Sequence, residues 1–371
     1  MPSKPQFVGE CRRVKLNEIC TKGKSSLRQK DVFNDGSYSV YGASGVVGTT
    51  CDYQNEIPYV AVVKDGAGVG RTSACEAMTS VLGTMQALIP NSNVERDYLL
   101  HLVRSLRLGE GFSGSTIPHI YFKDYGRIEV PLPSLEAQNQ IVSQLGLVEA
   151  QITQAEAQIE QLDSLVKSRF VEMFGDPKLE PNKWEVKPLG DVCSTRLGKM
   201  LDAKRQTGEC SYPYLANTNV QWFHFELSDL RRMDFSDEDR VEFALTNGDV
   251  LVTEGGEIGR CAIWREELKD CYFQKAVHRV RCNADCLLPE YFTWCFKMKS
   301  DLGLFEPYAS RSTIAHLTGK KIKQVPIPLP PLALQKDFVT FVTQVDKSRF
   351  VYLGSERNEV LSILDVVAYV C

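Results

Sequence analysis

The sequence predicts an α+β fold of two tandem mixed α/β domains, separated by two long helices that form an antiparallel coiled coil with pseudo-twofold symmetry. Three features predict it: an internal repeat, apolar strand-like segments that run into glycine-rich loops, and two proline-poor segments with helical periodicity. The length of 371 residues suits two or three domains.

The repeat consists of five pairs of similar segments that occur in the same order in both halves. The pairs are VKLNEIC at 14–20 with VKPLGDVC at 186–193, KDGAGVGR at 64–71 with TEGGEIGR at 253–260, RDYLLHLVR at 96–104 with PEYFTWCFK at 289–297, STIPHI at 115–120 with STIAHL at 312–317, and VPLPSLEAQ at 130–138 with IPLPPLALQ at 327–335. The offset rises from 173 residues (Cys20 to Cys193) to 197 (Gln138 to Gln335). The halves therefore differ by loop insertions.

Each half begins as a mixed domain, which we place at residues 8–135 and 184–332. The apolar segments PYVAVV at 58–63 and DVLVT at 249–253 predict strands, and glycines then form tight loops. A short amphipathic helix follows in each half, at 97–106 and 290–298. Each domain closes with a strand that ends at prolines, which cannot donate to a sheet.

A long helix follows each domain, at residues 136–175 and 335–371. Residues 136–174 contain no proline and one glycine, and their apolar residues alternate in steps of four and three, from Ile141 to Val166. That spacing is typical of a coiled-coil seam, and Gly175 before Pro177 ends the helix. In the second helix Phe338, Val342 and Val345 keep the seam, whereas Arg349, Glu356 and Glu359 interrupt it.

Composition narrows the class of protein. Hydrophobic residues make up 43% and charged residues 24% of the chain, which is typical of a soluble globular protein. We find no apolar run long enough for a membrane span and no signal peptide. The twelve scattered cysteines indicate free thiols in a reducing cytoplasm. Zinc binding by Cys271, Cys282, Cys286 and Cys295 is an alternative, but their spacing does not match the usual ligand patterns.

The net charge of −4 argues mildly against nucleic-acid binding, but positive charge is locally concentrated. Residues 12–30 hold seven basic side chains and one acid, Glu18, and residues 196–205 hold four basic side chains and Asp202. Either segment alone is most simply explained as a solvent-exposed face. The two together favour nucleic-acid binding, because they occupy the same place in the repeat.

The order of the motifs resembles the specificity subunit of type I restriction-modification enzymes over essentially the whole chain. The motifs are VPLPSLEAQNQIV, SRFVEMFGDP, NKWEVKPLGDVC and IPLPPLALQ. The resemblance implies that each domain is a target-recognition domain for one half of a bipartite, asymmetric site in double-stranded DNA. It also implies that the helices set the spacing and hold two methyltransferase (modification) subunits, which motor-nuclease (restriction) subunits join.

The sequence contains no clear catalytic motif, so we expect no enzyme activity, cofactor or metal in this chain. GEGFSG at 109–114 fits a dinucleotide loop but follows a helix instead of a strand. A GxxxxGK loop and an Asn-Pro-Pro-Tyr-like segment are both missing. The alternatives are a methyltransferase or endonuclease with a duplicated recognition domain, and a coiled-coil scaffold that binds only protein.

Candidate DNA contacts come mainly from repeated polar segments. Arg71 and Arg260 follow the glycine loops and could reach phosphate or guanine, although a surface arginine on a hairpin is an equal alternative. The repeated residues Ser115, Thr116, His119, Ser312, Thr313 and His316 could contact DNA or cap helices. Asn and Gln can pair with adenine, which points to the polar-aromatic group Tyr214, Asn217, Asn219, Gln221 and Trp222, with Tyr38, Tyr41 and Ser44 as its counterpart. Basic residues in or beside these segments complete the set: Lys64, Lys199, Arg311 and Lys320.

Overall fold

The computed structural model describes residues 11–111, 118–179, 183–202, 206–309 and 316–349. Its contacts divide the chain into two compact units, which we call unit 1, containing residues 11–157, and unit 2, containing residues 158–349. Both units combine helices with small sheets, as the repeat predicts.

Unit 1 is built on three sheets and its helices pack beside them. Its strands are β1 (Arg12–Lys15), β2 (Cys20–Lys22), β3 (Tyr38–Gly42), β4 (Gly45–Thr50), β5 (Tyr59–Val63), β6 (Thr72–Cys75), β7 (Ser80–Val81), β8 (Met85–Pro90) and β9 (Glu129–Leu132). Its helices are α1 (Leu16–Ile19), α2 (Arg96–Ser105), α3 (Phe122–Tyr125) and the start of α4 (Leu135–Phe174). The sheet orders are β1-β9, β2-β8-β5-β6 and β4-β3-β7, with β3 and β7 parallel.

Unit 2 repeats this topology. Its strands are β10 (Val186–Pro188), β11 (Cys193–Leu197), β12 (Ser211–Leu215), β13 (Arg231–Asp234), β14 (Val250–Thr253), β15 (Cys261–Ile263), β16 (Tyr272–Phe273), β17 (Val277–Cys282) and β18 (Pro326–Pro328). Its helices are α5 (Leu189–Val192), α6 (Asp237–Glu242), α7 (Pro289–Asp301), α8 (Gly319–Ile322) and α9, at residues 332–349. The sheet orders β10-β18, β11-β17-β14-β15 and β13-β12-β16 correspond one to one with those of unit 1. The predicted internal repeat is therefore present in the fold.

The apolar segments that predicted strands are buried on both faces. In β5, Val60 and Val62 join the core that contains α2, whereas Tyr59, Ala61 and Val63 join the core under the three-stranded sheet. Successive side chains of a strand point to opposite faces, so a strand between two cores is apolar at every position. In unit 2, β14 is shared between two cores in the same way.

The two longest loop insertions of unit 2 lie on either side of β13. Residues 43–44 alone join β3 to β4, whereas residues 216–230 join β12 to β13. In unit 1 the connection from β4 to β5 is residues 51–58, all of them described and without a helix, whereas unit 2 places α6 between β13 and β14. Both insertions fall between the first and second repeated segments, where the sequence offset rises.

A buried glutamine holds the start of each long helix. Gln138 donates to the carbonyl oxygens of Asn93 (3.0 Å) and Pro133 (2.9 Å) and accepts from the backbone N–H of Glu95 (2.8 Å). Glu95 caps α2, because its carboxylate accepts from the N–H of Tyr98 at 2.6 Å.

Gln335 repeats the arrangement in unit 2. It donates to Cys286 and Pro330, both at 2.8 Å, and accepts from the N–H of Leu288, the residue before α7, at 2.9 Å. The glutamine of the repeated PLPxxxxQ motif thus connects the end of the last strand, the short helix and the long helix.

The long helix α4 ends at Phe174, where Gly175 takes a left-handed φ of +93°. Its first turns put Ile141 and Leu145 into the unit 1 core, and its last turns put Val166, Phe170 and Phe174 into the unit 2 core.

Within unit 2 the end of α4 and α9 pair antiparallel. Phe338, early in α9, packs against the rings of Phe170 and Phe174 at 5.5 and 5.4 Å, while Arg349 pairs with Asp163, further back in α4. Arg349, which interrupts the predicted seam, also pairs with Asp346 at 2.9 Å, so its charge is neutralised. Glu356, Glu359 and the rest of the second predicted helix lie outside the described residues.

Candidate nucleic-acid interface

The repeated glycine-rich loops connect β5 to β6 and β14 to β15. Gly70 and Gly259 adopt φ of +85° and +80°, a conformation that other residues rarely adopt. A Cβ on Gly70 would lie 2.8 Å from the Cα of Gly109, and one on Gly259 would lie 2.7 Å from the Cζ of Phe305. Each loop therefore needs glycine in order to pack against the segment that follows α2 or α7.

The arginines that follow these glycines differ in exposure. Arg71 is exposed. Arg260 keeps only 17% of its side-chain surface exposed, donates to the carbonyl oxygen of Asn217 at 3.0 Å and lies 3.6 Å from the carboxylate of Glu257. Arg71 is therefore available to a phosphate, whereas Arg260 would first have to leave its present partners.

The repeated segments STIPHI (115–120) and STIAHL (312–317) each contact the glycine loop of their own unit through a histidine. His119 forms a bridge with Asp65, and its Nδ1 lies 2.7 Å from the Asp65 carboxylate. His316 forms the corresponding bridge with Gly255. Ser115, Thr116, Arg311, Ser312 and Thr313, the other candidates here, lie outside the described residues.

Four of the five residues in the polar-aromatic group of unit 2 lie in the inserted loop 216–230, and the fifth, Tyr214, lies in β12. Asn219 is buried and its amide bonds to Ala216, Glu226 and Asp229, so it holds the loop together. Gln221 is partly exposed and donates to Thr218 at 2.8 Å. Asn217, in the same loop, lies next to the glycine loop, because its carbonyl oxygen accepts from Arg260.

The aromatic residues of this loop pack towards the short helix. Trp222 donates from Nε1 to Glu257 of the glycine loop, and Lys297 lies 5.0 Å above its ring. Phe223 has φ of +68°, a strained conformation for a residue with a side chain, and its ring lies 4.6 Å from that of Trp294. Tyr214 is buried in β12.

The remaining candidates are distributed over both units. Tyr41 lies in β3, and burial raises the pKa of its phenol, which therefore stays protonated as a hydrogen-bond donor. Ser44 is exposed at the β3–β4 turn and Lys320 is exposed in α8, whereas Lys64 is partly buried. None of the described candidates is shown to touch DNA, so these residues stay predictions.

Lys199 is engaged inside unit 2. Its ammonium donates to the Asp234 carbonyl at 2.6 Å and to the Asp239 carboxylate at 2.5 Å. Burial opposes ionisation of Asp239, but the hydrogen bonds from Lys199 and from the Ser236 backbone bring its pKa below the usual value. The carboxylate therefore stays charged, and the pair stays formed, at neutral pH.

The helix α6, in which Glu242 pairs with Arg196 and Asp239 pairs with Lys199, was not predicted from the sequence. Ser236 caps this helix and accepts from the N–H of Asp239. The segment SDED carries the signal that could have found it, a serine followed three residues later by an acid.

Several classes of site can be checked over the described ranges. They contain no group of three or more His, Cys, Asp or Glu side chains arranged to hold a metal ion. Over the same ranges, no helix has both the length and the apolar character that a membrane span requires. Among the described residues ten cysteines are free, but Cys11 is disulfide-bonded, so the expectation of free thiols is wrong at that residue.

The fold and these loops define a protein with two tandem α/β domains of equal topology, joined by a long helix and carrying polar and basic loops. The sequence matches the family described as "Type I restriction modification DNA specificity domain" twice, over residues 10–163 and 181–361. The chain therefore belongs to this family and holds two copies of its domain.

Individual relatives agree with this assignment. The chain is 23% identical over 298 residues to the type I restriction enzyme EcoKI specificity subunit of Escherichia coli, a match that covers 75% of this chain and 63% of that protein. It is 32% identical over 117 residues, or 27% of the chain and 28% of the relative, to the MjaVIII specificity subunit of Methanocaldococcus jannaschii. The matches thus span less than two thirds of these relatives' lengths.

A solved structure shares the fold. The type I restriction-modification S subunit of M. genitalium aligns over 98% of this chain and 97% of its own, with a TM-score of 0.56 and 14% identity. The predicted fold class and the family resemblance are confirmed.

Proposed function

We propose that this chain is the DNA-binding specificity subunit of a type I restriction-modification complex. The observation that carries the proposal is the duplicated family domain: two units of equal strand order, each with a glycine loop beside a polar loop. Two related but non-identical domains suit a bipartite, asymmetric site in double-stranded DNA, with each domain reading one half.

In this proposal the first target-recognition domain is residues 8–135 and the second is residues 184–332. The helices at 136–175 and 335–371 join them and offer docking surface to two modification subunits, which restriction subunits join in turn. The complex acts in the cytoplasm, where its DNA substrate lies. The chain itself contributes recognition, and its partners contribute methyl transfer and ATP-dependent cleavage.

The exchange of one domain tests this function. Residues 184–332 are replaced by the matching domain of a relative with a different target, and the methylated sequences of cells that also contain the partner subunits are mapped. We expect one half of the methylated site to change and the other to stay, because each domain has its own cores. A change of both halves together would refute independent reading.

The enzyme alternative has its own measurement. The pure chain is incubated with DNA, Mg²⁺, ATP and a methyl donor, and the partner-containing complex is the positive control. We expect methylation and cleavage from the complex only. Reproducible chemistry by the chain alone would replace the proposal with an enzyme that carries a duplicated recognition domain.

A further inference from the structure

The basic segment at the start of each domain is repeated in sequence but differs in its electrostatic surroundings. We infer that α6 acts as an acidic cover over this segment in the second domain, so that DNA phosphates are bound mainly by the first domain. This inference rests on the proposed function and concerns how the two domains divide the binding.

The segment in the first domain is open. Its basic side chains are all exposed, and none forms an ion pair with any residue that the structure describes. They are Arg12, Arg13, Lys15, Lys22, Lys24, Arg28 and Lys30. Exposed cations without an ion-pair partner can neutralise DNA phosphates, which releases the counterions condensed on the DNA.

The corresponding segment in the second domain is covered. Arg196 pairs with Glu242 and Lys199 pairs with Asp239, so both described basic residues of this segment contact α6. The helix DEDRVE has four acids and one arginine. The first domain has no such helix in the described connection 51–58.

The cover acts through local charge. The Arg196–Glu242 pair is exposed and contributes little stability by itself, so a phosphate could displace Glu242, whereas the partly buried Lys199–Asp239 pair is harder to open. The phosphate would then lie close to the other acids of α6, and the stabilisation that the broken ion pair contributed would be lost. A carboxylate bound to a lysine or arginine also holds the place that a phosphate oxygen would take. A paired cation neutralises fewer DNA phosphates, so its contacts release fewer of the counterions that are condensed on the DNA.

The glycine loops show the same difference. Arg71 is exposed, whereas Arg260 lies against the Asn217 carbonyl and Glu257. The loop that supplies Asn217 is the other insertion of the second domain. Both insertions therefore pair with cations of the second domain, whereas the basic segment and Arg71 of the first domain are open. The inference explains this difference.

The test is the salt dependence of DNA binding by the full chain in complex with its modification subunits. The probe is a mixed-sequence DNA duplex, because contacts with phosphate do not depend on sequence. The variants are Lys22→Gln/Lys24→Gln in the first domain and Glu242→Gln in α6. Asp237→Asn is the matched control, because Asp237 lies in the same helix, is 87% exposed and pairs with Arg240 of its own helix.

We expect Lys22→Gln/Lys24→Gln to lower the slope of log affinity against log salt by about 0.9 for each phosphate that the variant no longer neutralises. Glu242→Gln should steepen the slope and strengthen binding at low salt, since it frees Arg196. Asp237→Asn should change the slope and the affinity at low salt less than Glu242→Gln does. An unchanged slope in the double variant, or an equal effect of Glu242→Gln and Asp237→Asn, would overturn the inference.

The outcome separates this inference from the proposed function. If the unaltered complex methylates a defined sequence but its slope is insensitive to these variants, only the acidic cover is wrong. If the complex neither binds DNA nor methylates it, the proposed function fails first.

Discussion

The arginine after each glycine loop has different surroundings in each domain, although the sequence pattern is the same. We expect Arg71→Ala to weaken DNA binding and to reduce the salt slope by about one, as the loss of one phosphate contact does. Should Arg71 contact guanine instead, discrimination at one base position would fall by about 1–3 kcal/mol. The measurements are binding over a salt series and the methylated motif.

Arg260→Ala is the matched comparison. This arginine is hydrogen-bonded inside the domain, so we expect a loss of stability of about 1–3 kcal/mol and little change in slope. If Arg260→Ala leaves the melting temperature unchanged but lowers the slope of log affinity against log salt by one, Arg260 contacts DNA.

For single residues, the sequence predicted which side chains are candidates for DNA contact better than it predicted which partners they have. A glycine followed by an arginine indicates a tight loop with a cation, but the partners of Arg260 come from residues 217 and 257, and the first of these belongs to an insertion. Asn219 shows the same limit, because its amide bonds within its own loop, where a pattern of polar residues predicts contact with a base. Tertiary contacts decide which polar groups stay free.

Among the elements, the glutamine of each PLPxxxxQ motif holds the start of a long helix. We expect Gln138→Ala to lower the free energy of unfolding by about 3 kcal/mol, because two carbonyl oxygens and one N–H lose their partner, and each buried group left unpaired costs about 1–3 kcal/mol. Thermal unfolding of the full chain measures it. Gln140→Ala, an exposed change in the same helix, is the control and should leave the midpoint almost unchanged. Equal midpoints for the two variants would contradict a structural role of the motif.

The elements that the sequence predicted follow from local patterns. The strands at 58–63 and 249–253, the closing strand of each domain, the two short amphipathic helices and the first long helix lie within a few residues of their predicted positions, since apolar periodicity and the Gly175 stop act locally. The other short strands had no prediction from the sequence. The helix α6 and the inserted loop were harder to predict, because they have no counterpart in the first half and the repeat offered no second copy for comparison. The insertions therefore carry the differences between the domains.

For the whole molecule, the continuous helix α4 connects two domains that fold around separate cores. Its first turns are fixed in one core and its last turns in the other, so a change of length between them must move one domain relative to the other. Gln154 lies between these turns and is exposed. The inferred consequence is that helix length helps to set the number of unread base pairs between the half-sites.

An insertion of four residues after Gln154 tests this idea. It would add about 6 Å of helix and rotate the remaining turns of α4 by roughly 40°, while two base pairs of DNA add about 7 Å and about 70°. The mismatch is small, so we expect activity to persist with a spacer longer by one or two base pairs.

An insertion of two residues would rotate the next turns by about 200° and carry their apolar residues away from α9, so it should abolish methylation. Mapping the methylated motif for both variants decides the matter: full activity with an unaltered spacer after the four-residue insertion would mean that contacts other than the length of α4 fix the spacing.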